Sequence, residues 1–533
     1  MPKNILIAAL GEHPAVITGM VKALREFEHI WIDSLHVLYP EKTGKDIAQL
    51  GYPLIEQHLD GICDVWPVPL AFSDANTTDA SITFLRTLVG VLETYQDEEK
   101  YDVYLSLAGG RKNMAALMAL VSQFYPSVKG LYHLLDKKDD TFPSIWQLVD
   151  WPTEKSEKAL DPPVKKMNLV PIPYFRTFAS SHVLRNFLKN PDSAAEHTPL
   201  ELTPEAEQFF RSIFTFNTTY QRLQVWLSET AYTQYQSWTQ RGSNFAGEFM
   251  TCFKQMRDPN RLKDRIHGTF NKFHFYKRRR TRERPFYYTE PNPIHLYPQQ
   301  PIERVIVCGL SVEQGNGQYE PTAQQLLSSA QRQPYKSLAS LNSRTRILLV
   351  PLGTSPMIAT QTYTLLQESE EEGKPNIPTV AVLYPEYHDV IENGVDLLEE
   401  QFEERGVEFK RFPIEEVEDI DSLENCNLYL KTLLEAIENL GSLYPERSIA
   451  LSLSGGRKGM SALTLFAAQR AGIEQVYHSL ITDIELEKRI EEETNLDALD
   501  ELPTNDARAN RLFLKEYDRN YFQLFTIPVI SLS

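Results

Sequence analysis

The string Gly-Gly-Arg-Lys occurs twice in this chain, at Gly109–Lys112 and at Gly455–Lys458, each time between a β-like apolar run and a helical one. Two consecutive glycines let a backbone turn sharply and approach a bound group closely. The amides that follow point outward at a helix start, where partial positive charge favours an anion such as phosphate. Arg111, Lys112, Arg457 and Lys458 add cations at the same places. Neither string is part of a GxxxxGK[ST] loop or of a GxGxxG fingerprint. One such string alone reads most simply as a glycine-rich connector with two solvated basic residues. Two copies in the same setting weigh against that reading.

A second pair of turns supplies the opposite wall of an anion pocket. LGEHP (Leu10–Pro14) and LGTSP (Leu352–Pro356) each follow a strand-like run. Thr354 and Ser355 offer hydroxyls, and capping of the next helix stands beside ligand contact as their role. Glu12 and His13 occupy the matching places in the first turn, so the two sites are not expected to be equivalent. The pairs Tyr132-His133 and Tyr477-His478 follow downstream and read first as strand packing, with a part in the site left open.

These motifs belong to a repeat. ILIAALGEHPAVIT from Ile5 matches ILLVPLGTSPMIAT from Ile347, and VLYPE recurs at Val37–Glu41 and Val382–Glu386. SLAGGRKNMAAL from Ser106 matches SLSGGRKGMSAL from Ser452, and each copy closes on an Ile-Pro strand, NLVPIPYF from Asn168 and QLFTIPVI from Gln523. Offsets stay between 342 and 346 residues until the last landmark, where insertions carry it to 355. Collinear landmarks of this kind mark a domain duplication. Short apolar runs alternate with helical patterns such as IAQLGYPLIEQHLDG, as βαβ units around a largely parallel sheet do. The fold class is therefore α/β, two Rossmann-like domains in tandem. Ligands are expected beyond the C-terminal ends of the strands.

The domain limits read as 1–178, 179–300 and 301–533. The middle segment reads as mainly helical from about Thr203 (LTPEAEQFFRSIF, YQRLQVWLSETAY, NFAGEFMTCFKQM) and is strongly basic later on. Arg257–Arg284 holds eleven Lys/Arg against three acids, interleaved with Phe273, Phe275 and Tyr276. The ERVIVCGLS stretch after Pro301 has strand character, but the recognisable first strand of the second copy begins only near Arg346. With 533 residues and a net charge of −18, the chain is too long for one core and too acidic to coat nucleic acid generally. The four cysteines lack CxxC spacing, which fits a reducing cytoplasm better than a disulfide framework or zinc site. No apolar run approaches membrane-spanning length, and the N-terminus enters a strand pattern at once rather than a signal sequence.

An LGxxP turn followed downstream by SLAGGRK or SLSGGRK at a helix start resembles the CRISPR-associated Rossmann fold, or CARF, domain. The resemblance covers both copies, some two-thirds of the chain. It implies a cyclic oligoadenylate ligand from type III CRISPR defence, bound on a pseudo-twofold axis between the copies, with no cofactor or metal. One chain would then hold both half-sites and could act as a monomer. The loops around Gly109, Gly110, Arg111, Lys112 and Asn113, and around Gly455, Gly456, Arg457 and Lys458, would grip phosphates. Gly11, Glu12, His13, Gly353 and Thr354 would line the remainder. Family members called ring nucleases cleave the ligand with a first-turn serine and a later lysine, roles that fall on Ser355 and Lys458, with Lys112 alone matching in the first copy. Other members relay binding to a HEPN ribonuclease, whose Arg-x4–6-His pattern on a helix is met by Arg261 and His267. A third reading is a sensor whose basic middle segment contacts RNA or a protein partner. The twofold axis favours an even-numbered ring, the four-unit one first.

Overall fold

A computed structural model describes residues 2–40, 50–137, 141–177, 200–202, 224–240, 244–256, 262, 266–270, 273–276, 283–291, 303–312, 336–337, 345–369, 375–444, 447–471, 473 and 475–529. Its first strand, β1 (Lys3–Ala9), is the apolar run KNILIAA, buried from Ile5 onward. Such continuous burial is what a strand covered on both faces requires. Around it lie α1 (Ala15–Glu28), β2 (Ser34–Pro40), α2 (Tyr52–Leu59), β3 (Asp64–Leu70), α3 (Thr78–Thr94), β4 (Tyr101–Ser106), α4 (Lys112–Ser122), β5 (Val128–Asp136), α5 (Ile145–Asp150), α6 (Thr153–Ala159) and β6 (Met167–Pro171). The strand order is β3-β2-β1-β4-β5-β6. Five strands are parallel, and β6 runs antiparallel to β5.

The middle of the chain holds β7 (Phe175–Thr177) paired with β8 (Leu200–Leu202), then β9 (Gln224–Leu227), α7 (Glu229–Gln240), α8 (Asn244–Met256), β10 (Ile266–Phe270), β11 (Phe273–Tyr276), β12 (Glu283–Pro291), β13 (Glu303–Val312) and β14 (Lys336–Ser337). A six-stranded sheet, β10-β11-β12-β13-β9-β14, replaces the mainly helical segment expected there. NFAGEFMTCFKQM is indeed helical, but QVWL is a strand parallel to β13. A four-residue apolar run has no periodicity of its own, and pairing with ERVIVCGLS decides its state. The latter strand, placed beyond the boundary at 301, belongs to this middle sheet. Val225, Phe249, Phe253, Tyr287 and Val305 form its separate core.

The second copy then repeats the first as β15 (Thr345–Pro351), α9 (Met357–Glu368), β16 (Asn376–Pro385), α10 (Asp389–Glu403), β17 (Glu408–Ile414), α11 (Leu423–Leu443), β18 (Ser448–Ser452), α12 (Lys458–Ala471), β19 (Val476–Ile481), α13 (Ile484–Glu493), α14 (Leu496–Asp500), α15 (Asn505–Leu512) and β20 (Phe522–Thr526). Its strand order, β17-β16-β15-β18-β19-β20, is that of the first sheet, with β20 antiparallel. No helix among the described residues is long and apolar enough to cross a membrane.

Helices α4 and α12 join the copies. Almost every residue of each is buried, including polar ones such as Ser122 and Gln469. A helix buried on all sides must be enclosed by protein all round. Here the two helices pack on each other, with α4 also against β4 and β5 and α12 against α11, within one hydrophobic cluster that runs from Ile5 and Leu117 through to Leu463 and Val476. Gln123 Nε2 donates to Gln469 Oε1 at 2.7 Å, and the two glutamines occupy equivalent positions in the repeat. The remaining sheet faces carry separate cores, one per copy.

Candidate anion-binding site at the seam

In each of the two Rossmann-like sheets the order reverses between the first and fourth strands, the place where open α/β sheets bind ligands beyond the strand ends. The LGxxP turns and the Gly-Gly-Arg-Lys loops flank this point, because they follow β1 and β4 in one copy and β15 and β18 in the other. The glycines are demanded by contact. A Cβ on Gly109 would lie 1.7 Å from the Ala9 carbonyl oxygen, and one on Gly455 would lie 1.6 Å from that of Pro351. Gly110 and Gly456 adopt φ of 68° and 67°, in the left-handed region. Gly11 packs on Gly110 and Gly353 on Gly456, so turn and loop meet in each copy.

The two loops also meet each other. Lys112 Nζ donates to the Ser454 carbonyl at 2.5 Å, and Lys458 Nζ donates to the Ala108 carbonyl at 2.6 Å. Ala108 and Ser454 are equivalent residues, so the contact is reciprocal, as between partners related by a twofold axis. Two further contacts join corresponding elements without matching residue for residue: Thr78 Oγ1, at the start of α3, donates to the Thr526 carbonyl at the end of β20, and Asn168 Nδ2, on β6, donates to the carbonyl of Asp421, just before α11.

Both lysines are half-buried, and burial pushes each down to about 8. The carboxylates of Glu487 and Glu491, on α13 of the second copy, pull Lys112 back up, whereas Lys112 and Arg111 push Lys458 further down. Glu487 is itself raised, first by burial; Arg111 and Lys112 pull it back, and Glu491 and Glu12 push it further up. Acidic side chains thus stand over the first half-site.

Arg111 is engaged by Asp74 through Nε to Oδ1 at 2.8 Å and Nη2 to Oδ2 at 2.6 Å. Arg457 is engaged by Asp419 in the same way, at 2.8 and 2.5 Å. Sequence reasoning missed both aspartates. The signal available was an aspartate three residues before the helix-capping Thr77 and Ser422 in both copies. Glu487 had no such signal.

Other expected residues are distributed as follows. Asn113 is fully buried and donates through Nδ2 to the Ala75 carbonyl and Ser81 Oγ, which fastens α4 to the loop before α3. It is therefore a structural residue rather than a pocket wall, because a site three residues after Gly110 already faces inward on the helix. Glu12 is half-buried, and its carbonyl accepts from the Ile145 amide. His13 is exposed with Nδ1 2.8 Å from the Phe142 carbonyl, so that nitrogen carries the proton. Thr354 is exposed and Ser355 half-buried. Helix α9 has Pro356 as its N-cap with no side-chain cap bond, so neither hydroxyl serves as a cap.

His133 and His478 are buried and pushed down to about 3, first by burial and then by the cations of the opposite copy's loop. Their environments differ. His478 Nδ1 lies 3.2 Å from Ser454 Oγ, which also takes the Ser479 amide at 2.6 Å. Ala108 stands in place of Ser454 in the first copy, and His133 Nδ1 has no hydrogen-bond partner among the described residues. His267 lies on β10, a strand, while Arg261 lies outside the described residues, so the helical Arg-x4–6-His arrangement is not formed around His267.

The family model for CRISPR-associated protein NE0113 matches residues 13–203 and 355–533, which hold most of the two Rossmann-like copies and omit the middle sheet. No curated protein matches. A solved type III CRISPR defence DNA nuclease activated by cyclic oligoadenylate aligns at 12% identity and TM-score 0.35, over 90% of this chain and 66% of that one. Enterococcus italicus Csm6 bound to cyclic hexa-2'-fluoro-hexa-dAMP aligns at 13% identity and TM-score 0.25, over 50% of this chain and 55% of that one. This chain thus spans just under two thirds and about half of their lengths. The family match covers well over half the residues and both copies of the duplicated domain: this chain belongs to the CRISPR-associated protein NE0113 family.

Proposed function

We propose that the chain binds a cyclic oligoadenylate, with the four-unit ring preferred, across the two Gly-Gly-Arg-Lys loops, and that it cleaves the ring. The observation that supports this most is the reciprocal lysine contact, which brings two equivalent cationic loops together at one seam. A ligand with a twofold axis through its centre can present equivalent phosphates to the two loops, and a three-unit ring cannot. Membership of a CRISPR-associated family and the CARF resemblance of both copies point to the same ligand class.

Cleavage would use the ring's own ribose 2′-OH, which attacks the adjacent phosphorus as the P–O5′ bond breaks, leaving a 2′,3′-cyclic phosphate. The hydroxyl proton leaves and a proton is returned to the 5′ oxygen, so no outside reactant is consumed. In-line placement and cations near the developing charge supply the acceleration. Lysines titrating near 8 suit both roles, since an acid with a pKa close to the working pH transfers protons well. Ser355, half-buried and with no hydrogen bond to a described residue, would orient the ribose or phosphate in the second copy.

Incubation with cyclic tri-, tetra- and hexa-adenylate, with and without EDTA, tests this directly. Tight binding and EDTA-insensitive cleavage of the tetra-adenylate are expected. Binding without turnover would leave a sensor for some partner, and preference for the three-unit ring would overturn the symmetry argument.

A further inference from the structure

We propose that Asp74 and Asp419 are positioning residues of the anion site, each aiming its copy's loop arginine at the ligand; this rests on the cyclic oligoadenylate reading. Each carboxylate is itself fixed from behind. Asp74 Oδ1 accepts from the Ala75 amide at 2.7 Å as well as from Arg111 Nε, and Asp419 Oδ1 accepts from the Ile420 amide at 2.7 Å as well as from Arg457 Nε. The loops that carry them are tied down in turn, by Asn113 Nδ2 to the Ala75 carbonyl and by Asn425 Nδ2 to the Asp419 carbonyl. The surrounding residues differ, FSDANTT against VEDIDSL, yet both copies build the same clamp.

The geometry assigns the donors. A guanidinium has five N–H groups in a rigid fork. Pairing side-on through Nε and Nη2 leaves the Nη1 edge turned away from the carboxylate. In Arg111 that edge makes no hydrogen bond to a described residue. The arginine therefore meets the ligand with its rotamer already chosen, which lowers the ordering cost of binding. Because the aspartate balances its charge, the arginine acts as an aimed donor. Arginine and aspartate are thus one functional unit, although only the arginine would touch the ligand.

The test is a double-mutant cycle on the full chain, with cyclic tetra-adenylate as the probe and calorimetric affinity as the readout. Asp74→Asn keeps the side chain's size and an oxygen for the Ala75 amide but removes the charge. It should weaken binding about tenfold, the loss expected for a charge-assisted hydrogen bond that is no longer aimed. Arg111→Ala should weaken binding at least as much, and adding Asp74→Asn to it should change nothing further, since coupled residues are not additive. An unchanged or tighter affinity in Asp74→Asn, making the aspartate neutral or a competing anion, overturns the proposal. So does an equal loss in the Arg111→Ala background, which would mean that Asp74 works through its loop. Should Asp74→Asn fail to fold, Arg111→Lys serves instead: lysine cannot make the side-on pair, and wild-type affinity in that variant also overturns the clamp. Wild-type protein that binds no ring strikes the ligand reading, and the clamp falls with it.

Discussion

Raising the pH from 7 to 9 should discharge the two lysines of the Gly-Gly-Arg-Lys loops. Lys112 and Lys458 are pushed down to about 8. A group with that pKa is about 90% protonated at pH 7 and about 10% protonated at pH 9, so its cationic fraction falls about tenfold. A bound phosphate restores the proton by charge attraction, so the affinity carries this factor once per lysine. The ring should therefore bind about 100-fold more weakly at pH 9 than at pH 7 if both lysines contact it. The two buried histidines do not blur the window, because His133 and His478 are already neutral well below it. The unliganded protein should respond in the opposite direction. Between about 8 and the ordinary lysine value the unfolded chain binds more protons than the folded one, so these lysines make folding more favourable as pH rises. Calorimetric affinities at pH 7, 8 and 9 and fixed ionic strength, with melting curves of wild type and Lys112→Met/Lys458→Met, measure both trends. A flat affinity from 7 to 9 would refute the reasoning, either because the lysines titrate normally or because they do not meet the ligand.

Single replacement of Lys458 or Lys112 by Met should weaken ring binding by roughly 1.5–3 kcal/mol, the range for a charge-assisted hydrogen bond, as read by titration calorimetry. Gly455→Ala places a methyl on the Pro351 carbonyl oxygen, and the overpacking should cost about 3 kcal/mol of stability in denaturant melts. Ser454→Ala removes the hydroxyl shared by His478 and Ser479 and should cost about 1–2 kcal/mol in the same assay, while recreating in the second copy the chemistry around His133. Ser355→Ala should slow single-turnover cleavage of the tetra-adenylate more than it weakens binding, the pattern of an interaction made chiefly in the transition state.

Much of this protein was legible in its residues. The repeat of LGxxP, VLYPE, Gly-Gly-Arg-Lys and Ile-Pro determined two copies of one α/β fold, since each landmark encodes a local need: a strand end, a tight turn, a helix start. The paired glycines were readable for the same reason, because a backbone approach leaves no substitute for a missing Cβ. Short elements were not readable. QVWL became a strand only because β13 lies beside it, and pairing between segments some 80 residues apart leaves no period in either.

The tertiary structure alone decided which residues of the site meet. Lys112 and the Ser454 carbonyl are 342 residues apart in the chain, and only burial of α4 against α12 brings them together. The same packing sets Glu487 over the first loop and the second copy's cations against His133. Arg111 reads from sequence as a cation beside a phosphate. In the fold it is one half of a clamp with Asp74, because the reach of a carboxylate across a crevice depends on where two loops end in space and not on their order along the chain.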